Sequence, residues 1–406
     1  MPLEIALSGI NAASSQLEVI SNNIANNATN GFKRSSTEFA DVYAVTNGGA
    51  SDTQTGAGVR VTQVTQEFTQ GDMTYTENDM DLAISGEGFF RMESSGEVVY
   101  TRAGTFGLDE EGYIVNSSGD YLTGYQVNDD DELTSTIGPI LVDSGSLAPN
   151  ATSEIDLGLN LDATAETPDD VFDVNSASSY NFSTSTSIYD SLGYPHEATV
   201  YFRKEGAKDW TSYTYVDDQQ VSTDTLTFNE DGTLESLNGV AGEAVISTAA
   251  YTPDTGAAAQ SFTLDLADTT QFENPFGVNE VYQDGYEAGR LSSVEIDSTG
   301  VVYGIYTNRE AKPMGQITLT NFSNPQGLSP VGDTSWAETF DSGAGATGAP
   351  GSASLGLLQS GALEASNVDI TEELVAMIGA QRSFQANAQV IGTADTLSQT
   401  VINIRR

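Results

Sequence analysis

Met1-Pro2-Leu3-Glu4-Ile5-Ala6-Leu7-Ser8-Gly9-Ile10-Asn11-Ala12-Ala13-Ser14-Ser15-Gln16-Leu17-Glu18-Val19-Ile20-Ser21-Asn22-Asn23-Ile24-Ala25-Asn26 opens the chain, and its spacing decides the fold. Apolar or small side chains recur at Leu3, Ala6, Ile10, Ala13, Leu17, Ile20 and Ile24. That three-four alternation predicts a helix with a heptad seam. Gly31, in Asn27-Ala28-Thr29-Asn30-Gly31, stands just past its expected end. From Met1 to Asn30 only Glu4 and Glu18 ionise, so the helix suits a crowded, poorly hydrated environment.

The other terminus repeats the pattern at Ile370, Leu374, Met377, Phe384, Ala388, Ile391, Ala394 and Val401. Asp369, with Glu372 three residues on, is its expected N-terminal cap. The bland reading of either helix is an amphipathic face packed on its own domain. Two low-charge helices at opposite ends predict more: a side-by-side, coiled-coil-like pair whose remaining apolar surface is left for neighbouring subunits.

Between the ends the pattern turns to short alternating segments broken by glycine turns, the mark of antiparallel β structure. Phe89-Phe90-Arg91-Met92 leads through Glu93-Ser94-Ser95-Gly96 to Val98-Val99-Tyr100. Asp109-Glu110-Glu111-Gly112, Asn116-Ser117-Ser118-Gly119, Asn229-Glu230-Asp231-Gly232 and Asp297-Ser298-Thr299-Gly300 repeat the layout. In each the acidic or Asn residue is expected to bond the turn backbone while Gly accepts positive φ, which makes these acids turn formers rather than ligands or catalysts.

Composition sets the seams. Gly48-Gly49-Ala50-Ser51 with Thr55-Gly56-Ala57-Gly58, and Gly343-Ala344-Gly345-Ala346-Thr347-Gly348-Ala349-Pro350-Gly351, read as loose connectors. The stretch 146–284 reads as an insert rich in Ser, Thr and Asp whose only basic side chains are Arg203, Lys204 and Lys208. The expected fold class is mainly β with terminal α-helices. Residues 1–30 and 362–406 form a helical core domain, and 31–70 with about 343–361 a connector. Residues 71–145 with 285–342 form a β middle domain, and 146–284 an inserted β outer domain. A length of 406 residues suits such a division.

The chain carries 58 Asp plus Glu against 14 Lys plus Arg, a net charge of −44 at pH 7. Nucleic acid and anionic membranes are therefore poor partners, since both require clustered basic side chains. No stretch has the roughly 20 apolar residues of a membrane span, and Met1-Pro2-Leu3-Glu4 lacks the basic start of a cleaved secretory signal. Cysteine is absent, which removes disulfides, thiolate metal sites and thiol nucleophiles. The acidic run Asn128-Asp129-Asp130-Asp131-Glu132 lacks the Gly and Glu positions of a calcium loop. The single histidine, His196, has no nucleophile elbow beside it and reads as a turn residue. No phosphate-binding pattern is present, and no carboxylate pair stands out from the many acids. No enzyme, metal or cofactor is expected.

Ser8-Gly9-Ile10-Asn11-Ala12-Ala13, Ile20-Ser21-Asn22-Asn23-Ile24-Ala25-Asn26 and Asn30-Gly31-Phe32-Lys33 closely resemble the N-terminal signature of bacterial flagellar rod and hook axial proteins. Gly361-Ala362-Leu363-Glu364-Ala365-Ser366-Asn367-Val368-Asp369, Glu373-Leu374-Val375 and Ala380-Gln381-Arg382-Ser383-Phe384-Gln385-Ala386-Asn387 resemble the C-terminal one. Inward, Asp81-Leu82-Ala83-Ile84, Gly88-Phe89-Phe90, Tyr100-Thr101-Arg102-Ala103-Gly104 and Leu122-Thr123-Gly124-Tyr125 look like the β domain of that family. Tyr189-Asp190-Ser191-Leu192-Gly193 and Val200-Tyr201-Phe202 resemble the outer domain of its hook members, and length with insert favours hook over distal rod.

The resemblance implies a homopolymer: a curved, hollow tube outside the cell that joins rod to filament and passes motor torque in motility. It implies the distal rod, hook cap, hook–filament junction protein and flagellar export apparatus as partners. It implies assembly contacts through Leu3, Ile10, Leu17, Ile20, Asn22, Asn23, Ile24, Asn26, Gly31 and Phe32. At the other end it implies Leu363, Asn367, Val368, Asp369, Leu374, Met377, Gln381, Arg382, Phe384, Ile391 and Val401. A distal-rod-type protein and an extracellular β adhesin are the alternatives. Gly379 and Gly392 within the last helix depart from good helix chemistry by roughly 1 kcal/mol each relative to Ala.

Overall fold

The computed structural model describes residues 2–42, 56–128 and 131–404, with side chains over 3–42, 56–128 and 131–400. Gly48, Gly49, Ala50, Ser51 and Thr55 of the first glycine stretch, Asp129 and Asp130 of the acidic run and the Val401 side chain lie outside them. The chain forms two compact units. Unit 1 is Met1–Asp143, Ser293–Gly304 and Ala311–Arg406, and unit 2 is Ser144–Ser292 with Ile305–Glu310.

Unit 1 holds both helices, α1 (Pro2–Ala25) and α2 (Ile370–Ile404), which lie against each other. A methyl group added at Gly9 would meet the Asn387 side chain at 2.7 Å, so the two helices touch there. The first helix ends well short of Gly31. Asn26 donates its backbone and side-chain N–H groups to the Asn22 carbonyl at 3.1 and 3.0 Å, and the chain continues in turns. Asparagine offers the backbone such local bonds and so breaks a helix that hydrophobic spacing alone would extend.

The segment expected as a connector contains a ribbon. β1 (Ser35–Asp41) pairs antiparallel with β2 (Val59–Gln66), from Ser35 opposite Gln66 to Asp41 opposite Val59, and both strands pack on α1. The first pass through the β region then lays down β3 (Met73–Tyr75), β4 (Leu82–Ser85), β5 (Phe89–Ser94), β6 (Glu97–Thr101), β7 (Phe106–Leu108), β8 (Ile114–Asn116) and β9 (Tyr121–Val127). Ser95 and Gly96 both take positive φ, 52° and 88°, the primed turn that matches strand twist in a hairpin.

The return pass interleaves with the first. Leu319–Asn321 pairs with β5, Ser335–Ala337 with β6, Leu357–Ser360 with β4 and Ala362–Glu364 with β3. The second glycine stretch is no loose connector, because Ala346–Gly348 joins the sheet beside Leu319–Asn321. Leu82, Ile84, Phe90, Met92, Ile114 and Leu122 fill the core at 0% exposure. Phe89, Tyr100, Phe322 and Trp336 pack edge-on nearby.

Unit 2 is two sheets around one core. Phe182–Tyr189, Pro195–Lys204, Asp209–Val216, Gln219–Phe228, Leu234–Leu237 and Val240–Ala241 make a six-stranded antiparallel sheet. The second sheet is built on Glu154–Asp162, which pairs antiparallel with Gly277–Gln283. It pairs parallel with Thr263–Asp265 and Thr270–Phe272, a departure from the all-antiparallel expectation. Leu159, Leu161, Phe202, Trp210 and Phe228 are completely buried between the sheets.

The turns follow the expected chemistry. Asp109 Oδ1 accepts the amides of Glu111 and Tyr113, Asn116 those of Ser118 and Asp120, and Asp297 those of Thr299 and Val301, at 2.7–3.1 Å. Asn128 does the same for Glu132 at 2.8 Å. No cluster of acids or His able to hold a metal ion occurs among the described residues.

Candidate assembly site

Pairing of β3 with Ala362–Glu364 carries the chain from the sheet directly to the start of α2, beside the segment that leaves α1. Glu364 is the centre of this junction and is fully buried. Its Oε1 accepts from Lys33 Nζ at 2.5 Å and from the Gly71 amide at 2.9 Å. Its Oε2 accepts from Arg102 Nη1 at 3.0 Å, and its carbonyl accepts from the Gly31 amide at 2.8 Å. Gly31 has φ 70°, and any Cβ there would strike the Ala103 amide nitrogen at 2.4 Å. That position therefore demands glycine twice over.

Lys33 is buried as completely as its partner and also donates to the Thr69 carbonyl at 2.7 Å. Burial pushes its ammonium below the usual range, and the attraction of Glu364 does not restore it. Such a cluster is expensive to break, because removing one partner leaves a desolvated charge behind.

A second cluster locks the first turn of α2. Asn23 Nδ2 donates to the Ser35 carbonyl at 2.8 Å and to Glu373 Oε1 at 3.2 Å, while its Oδ1 accepts the Ser35 amide at 3.0 Å. Arg34 Nε reaches Glu373 Oε1 at 2.7 Å and Nη2 reaches Glu372 at 3.1 Å. Asn367 Oδ1 accepts the Arg34 amide at 2.7 Å, and its Nδ2 donates to the Glu67 carbonyl at 2.8 Å. Asp369 caps α2 by accepting the amides of Thr371 and Glu372 at 2.7 and 3.3 Å, and these bonds hold its carboxyl below the usual range. Glu372 turns to Arg34 instead of back to the cap.

Of the residues singled out from sequence, Ile20, Asn23, Gly31 and Leu363 are buried. Ile10, Leu17, Ile24, Asn26, Phe32, Asn367, Val368, Met377 and Ile391 are half-buried. Leu3, Asn22, Asp369, Leu374, Gln381, Arg382 and Phe384 are exposed. Lys33, Arg34, Arg102, Glu364 and Glu373 were missed as partners. For Lys33, Glu364 and Glu373 the available signal was charge placed inside the largely uncharged terminal motifs.

Both helices keep apolar side chains in water: Leu3 (45%), Leu7 (53%), Leu374 (47%), Val375 (67%), Ile378 (50%) and Leu397 (67%). On α2 only Glu373 and Ala380 are buried among the described side chains. A 35-residue helix with so little of itself covered is an unfinished contact.

His196 lies in unit 2, at the start of Pro195–Lys204 rather than in a turn. Its Nδ1 bonds Asp217, and its Nε2 lies 3.2 Å from Asp190 Oδ2. With both ring nitrogens held by carboxylates, neither is placed to take a proton from a hydroxyl nucleophile.

Family models match four stretches of the chain. The flagella basal body rod protein model matches residues 3–33 and the flagellar basal body rod FlgEFG protein C-terminal model residues 359–404. The flagellar hook protein FlgE/F/G D1 domain model matches 83–157, and the flagellar basal body protein FlaE D2 domain model 160–286. The flagellar hook protein FlgE of Salmonella typhimurium is 40% identical over 419 residues, covering 100% of both chains. The chain belongs to the flagellar hook protein family. The Escherichia coli hook protein is 38% identical over 420 residues with the same coverage, and that of Borreliella burgdorferi 31% over 433 residues and 98% of each. The crystal structure of Helicobacter pylori hook protein FlgE2 covers 72% of this chain and 100% of its own with a TM-score of 0.55, a likeness of fold at 14% identity. As a hook family member the chain is a structural subunit that polymerises in the flagellar hook and associates with the basal body. No helix among the described residues is long and apolar enough to cross a membrane.

Proposed function

We propose that α1 and α2 form the inner wall of a curved, hollow hook tube, that the sheet of unit 1 forms the shell around it and that unit 2 faces outward. The single observation that carries this reading is the water-exposed apolar surface on both terminal helices. Side chains such as Leu7 and Leu374 gain burial from copies of the same chain, at roughly 25 cal/mol per Å² of apolar area covered. The residues expected to make those contacts are the exposed and half-buried members of the two terminal motifs, from Leu3 to Phe32 and from Asn367 to Ile391. Val401 extends the same stripe in sequence.

Torque transfer through a bend requires neighbouring subunits to slide without separating. A surface of net charge −44, wet and self-repelling, suits sliding, while the apolar helices supply cohesion. The distal rod, the hook cap, the hook–filament junction protein and the export apparatus are the partners this role needs. No catalytic step is part of it.

Removing α1 and α2 while keeping Asn26–Asp369 tests the reading by electron microscopy and sedimentation. The truncated chain is expected to stay monomeric while unit 2 melts as before; polymerisation as ready as that of the intact chain overturns the role of the helices. Leu374→Glu with Leu397→Glu keeps both helices and is expected to abolish polymer while leaving the monomer folded.

A further inference from the structure

Phe340 is 100% exposed, a large ring placed entirely in water. The backbone that presents it is tightly fixed. Thr339 Oγ1 donates to the Gly327 carbonyl at 2.5 Å, the Thr339 amide donates to Ser342 Oγ at 3.0 Å, and Asn324 Nδ2 donates to the Asp341 carbonyl at 2.9 Å. Gly327 lies so close beneath the turn that a Cβ would meet the Asp341 carbonyl carbon at 2.5 Å. A floppy loop could tuck its aromatic side chain away; this one holds it out.

The same unit carries a groove of about 700 Å³ whose lining includes Asn22, Asn26, Phe32, Ser117, Asp333 and Trp336. Among the described residues, Lys33 and Asp333 are the only charged ones lining it. In a chain of net charge −44, such a near-neutral recess is a surface that a turn flanked by Glu338 and Asp341 can approach. Phe340 does not occupy the groove of its own chain, since it is fully exposed.

We propose that the Phe340 turn is a knob that inserts into this groove on a second copy of the chain. Knob and recess are different patches of one unit, so the contact is heterologous, and repeating it generates an open helical polymer rather than a closed dimer. A rigid aromatic anchor entering a pocket is the usual form of an interface hot spot. The proposal rests on the polymer reading above and deepens it by naming one subunit contact.

The test uses the intact chain, which contains no cysteine and so gives clean cross-linking. Phe340→Ala is expected to raise the protein concentration needed for polymerisation by about tenfold or more, with the monomer's thermal melt unchanged because the residue is fully exposed. Phe340→Cys combined with Ser117→Cys, polymerised above the raised concentration that Phe340→Ala requires, is expected to give on mild oxidation a ladder of covalent multimers on a denaturing gel. Either single variant is expected to run as a single-chain band on that gel. If the intact chain forms no polymer, the polymer reading falls and this inference with it. If it polymerises but Phe340→Ala assembles at the same concentration, the knob alone is overturned. A raised concentration with no ladder, or dimers from Phe340→Cys alone, overturns the groove as its acceptor.

Discussion

Unit 2 and the terminal helices treat their apolar residues in opposite ways. Phe202, Trp210 and Phe228 are at 0% exposure between the two sheets of unit 2, whereas Leu374, Val375 and Leu397 of α2 stand between 47% and 67% exposed. The first region is complete as a single molecule. The second has secondary structure and a lock at its base but lacks partners for its length. Stability and assembly are thus assigned to different parts of one chain.

Paired truncations break or sharpen that contrast. Phe202→Ala is expected to cost about 3–5 kcal/mol of unit 2 stability, as a large-to-small change in a closed core. The sequence has two tryptophans, Trp210 in unit 2 and Trp336 in unit 1, so a Trp336→Phe background lets Trp210 fluorescence follow unit 2 in urea. Leu374→Ala is expected to change monomer stability by less than about 0.5 kcal/mol, yet to raise the concentration needed for polymerisation. An effect on the monomer as large as that of Phe202→Ala would mean that α2 is already buried. Between these extremes stands the base of the helices. Glu364→Ala is expected to cost about 3–5 kcal/mol in unit 1, because Lys33 and Arg102 lose their shared carboxylate while still buried. The unit 2 transition followed through Trp210 should not move.

Much of this division could be read from sequence, because helices and turns announce themselves locally. The three-four spacing located both helices, and the Asp/Asn…Gly turns at Asp109, Asn116 and Asp297 form the bonds their chemistry dictates. Helix length was misjudged where local side-chain bonding won, at Asn26. Strands were missed where glycine disguised them: Ala346–Gly348 is two small residues around a threonine, ordered only because Leu319–Asn321 lies beside it. The Glu364 and Glu373 clusters were hidden for another reason. Their partners lie more than 260 residues away in Lys33, Arg34 and Arg102, and sequence spacing carries no information about a contact that only the fold creates.

A smaller effect belongs to unit 2 alone. Burial pushes the His196 imidazolium down, but its bonds to Asp217 and Asp190 win and raise its pKa above 6.5. Burial pushes the Asp190 carboxyl up, and hydrogen bonds from Thr255, Tyr194, His196 and Leu192 hold it down to about 2. A raised histidine contributes stability that is complete below the unfolded value near 6.5 and is lost as pH rises through the folded one. A depressed carboxylate contributes stability present above about 3.8 and lost as pH falls towards 2. Unit 2 is therefore expected to be most stable between about 3.8 and 6.5 and to lose stability on the alkaline side as His196 gives up its proton. His196→Gln should flatten that alkaline fall. Tyr251, edge-on to the imidazole, is held up at about 12 by burial and by Asp217 and Asp190, so it does not titrate in the same window.

The weakest lever acts on contacts between copies. Chains of net charge −44 repel one another on approach, and that repulsion reaches about 30 Å at 0.01 M salt but only about 8 Å at 0.15 M. Added salt should therefore lower the concentration needed for polymerisation, by less than about 1 kcal/mol per contact because the charges are exposed. The apolar contacts of the helices do not weaken under the same change. If salt dissolves the polymer instead, attractive ion pairs between subunits must outweigh both terms, and cohesion would lie in the acidic surface rather than in α1 and α2. Light scattering of the intact chain from 0.01 to 0.15 M salt separates the two cases by the sign of the response.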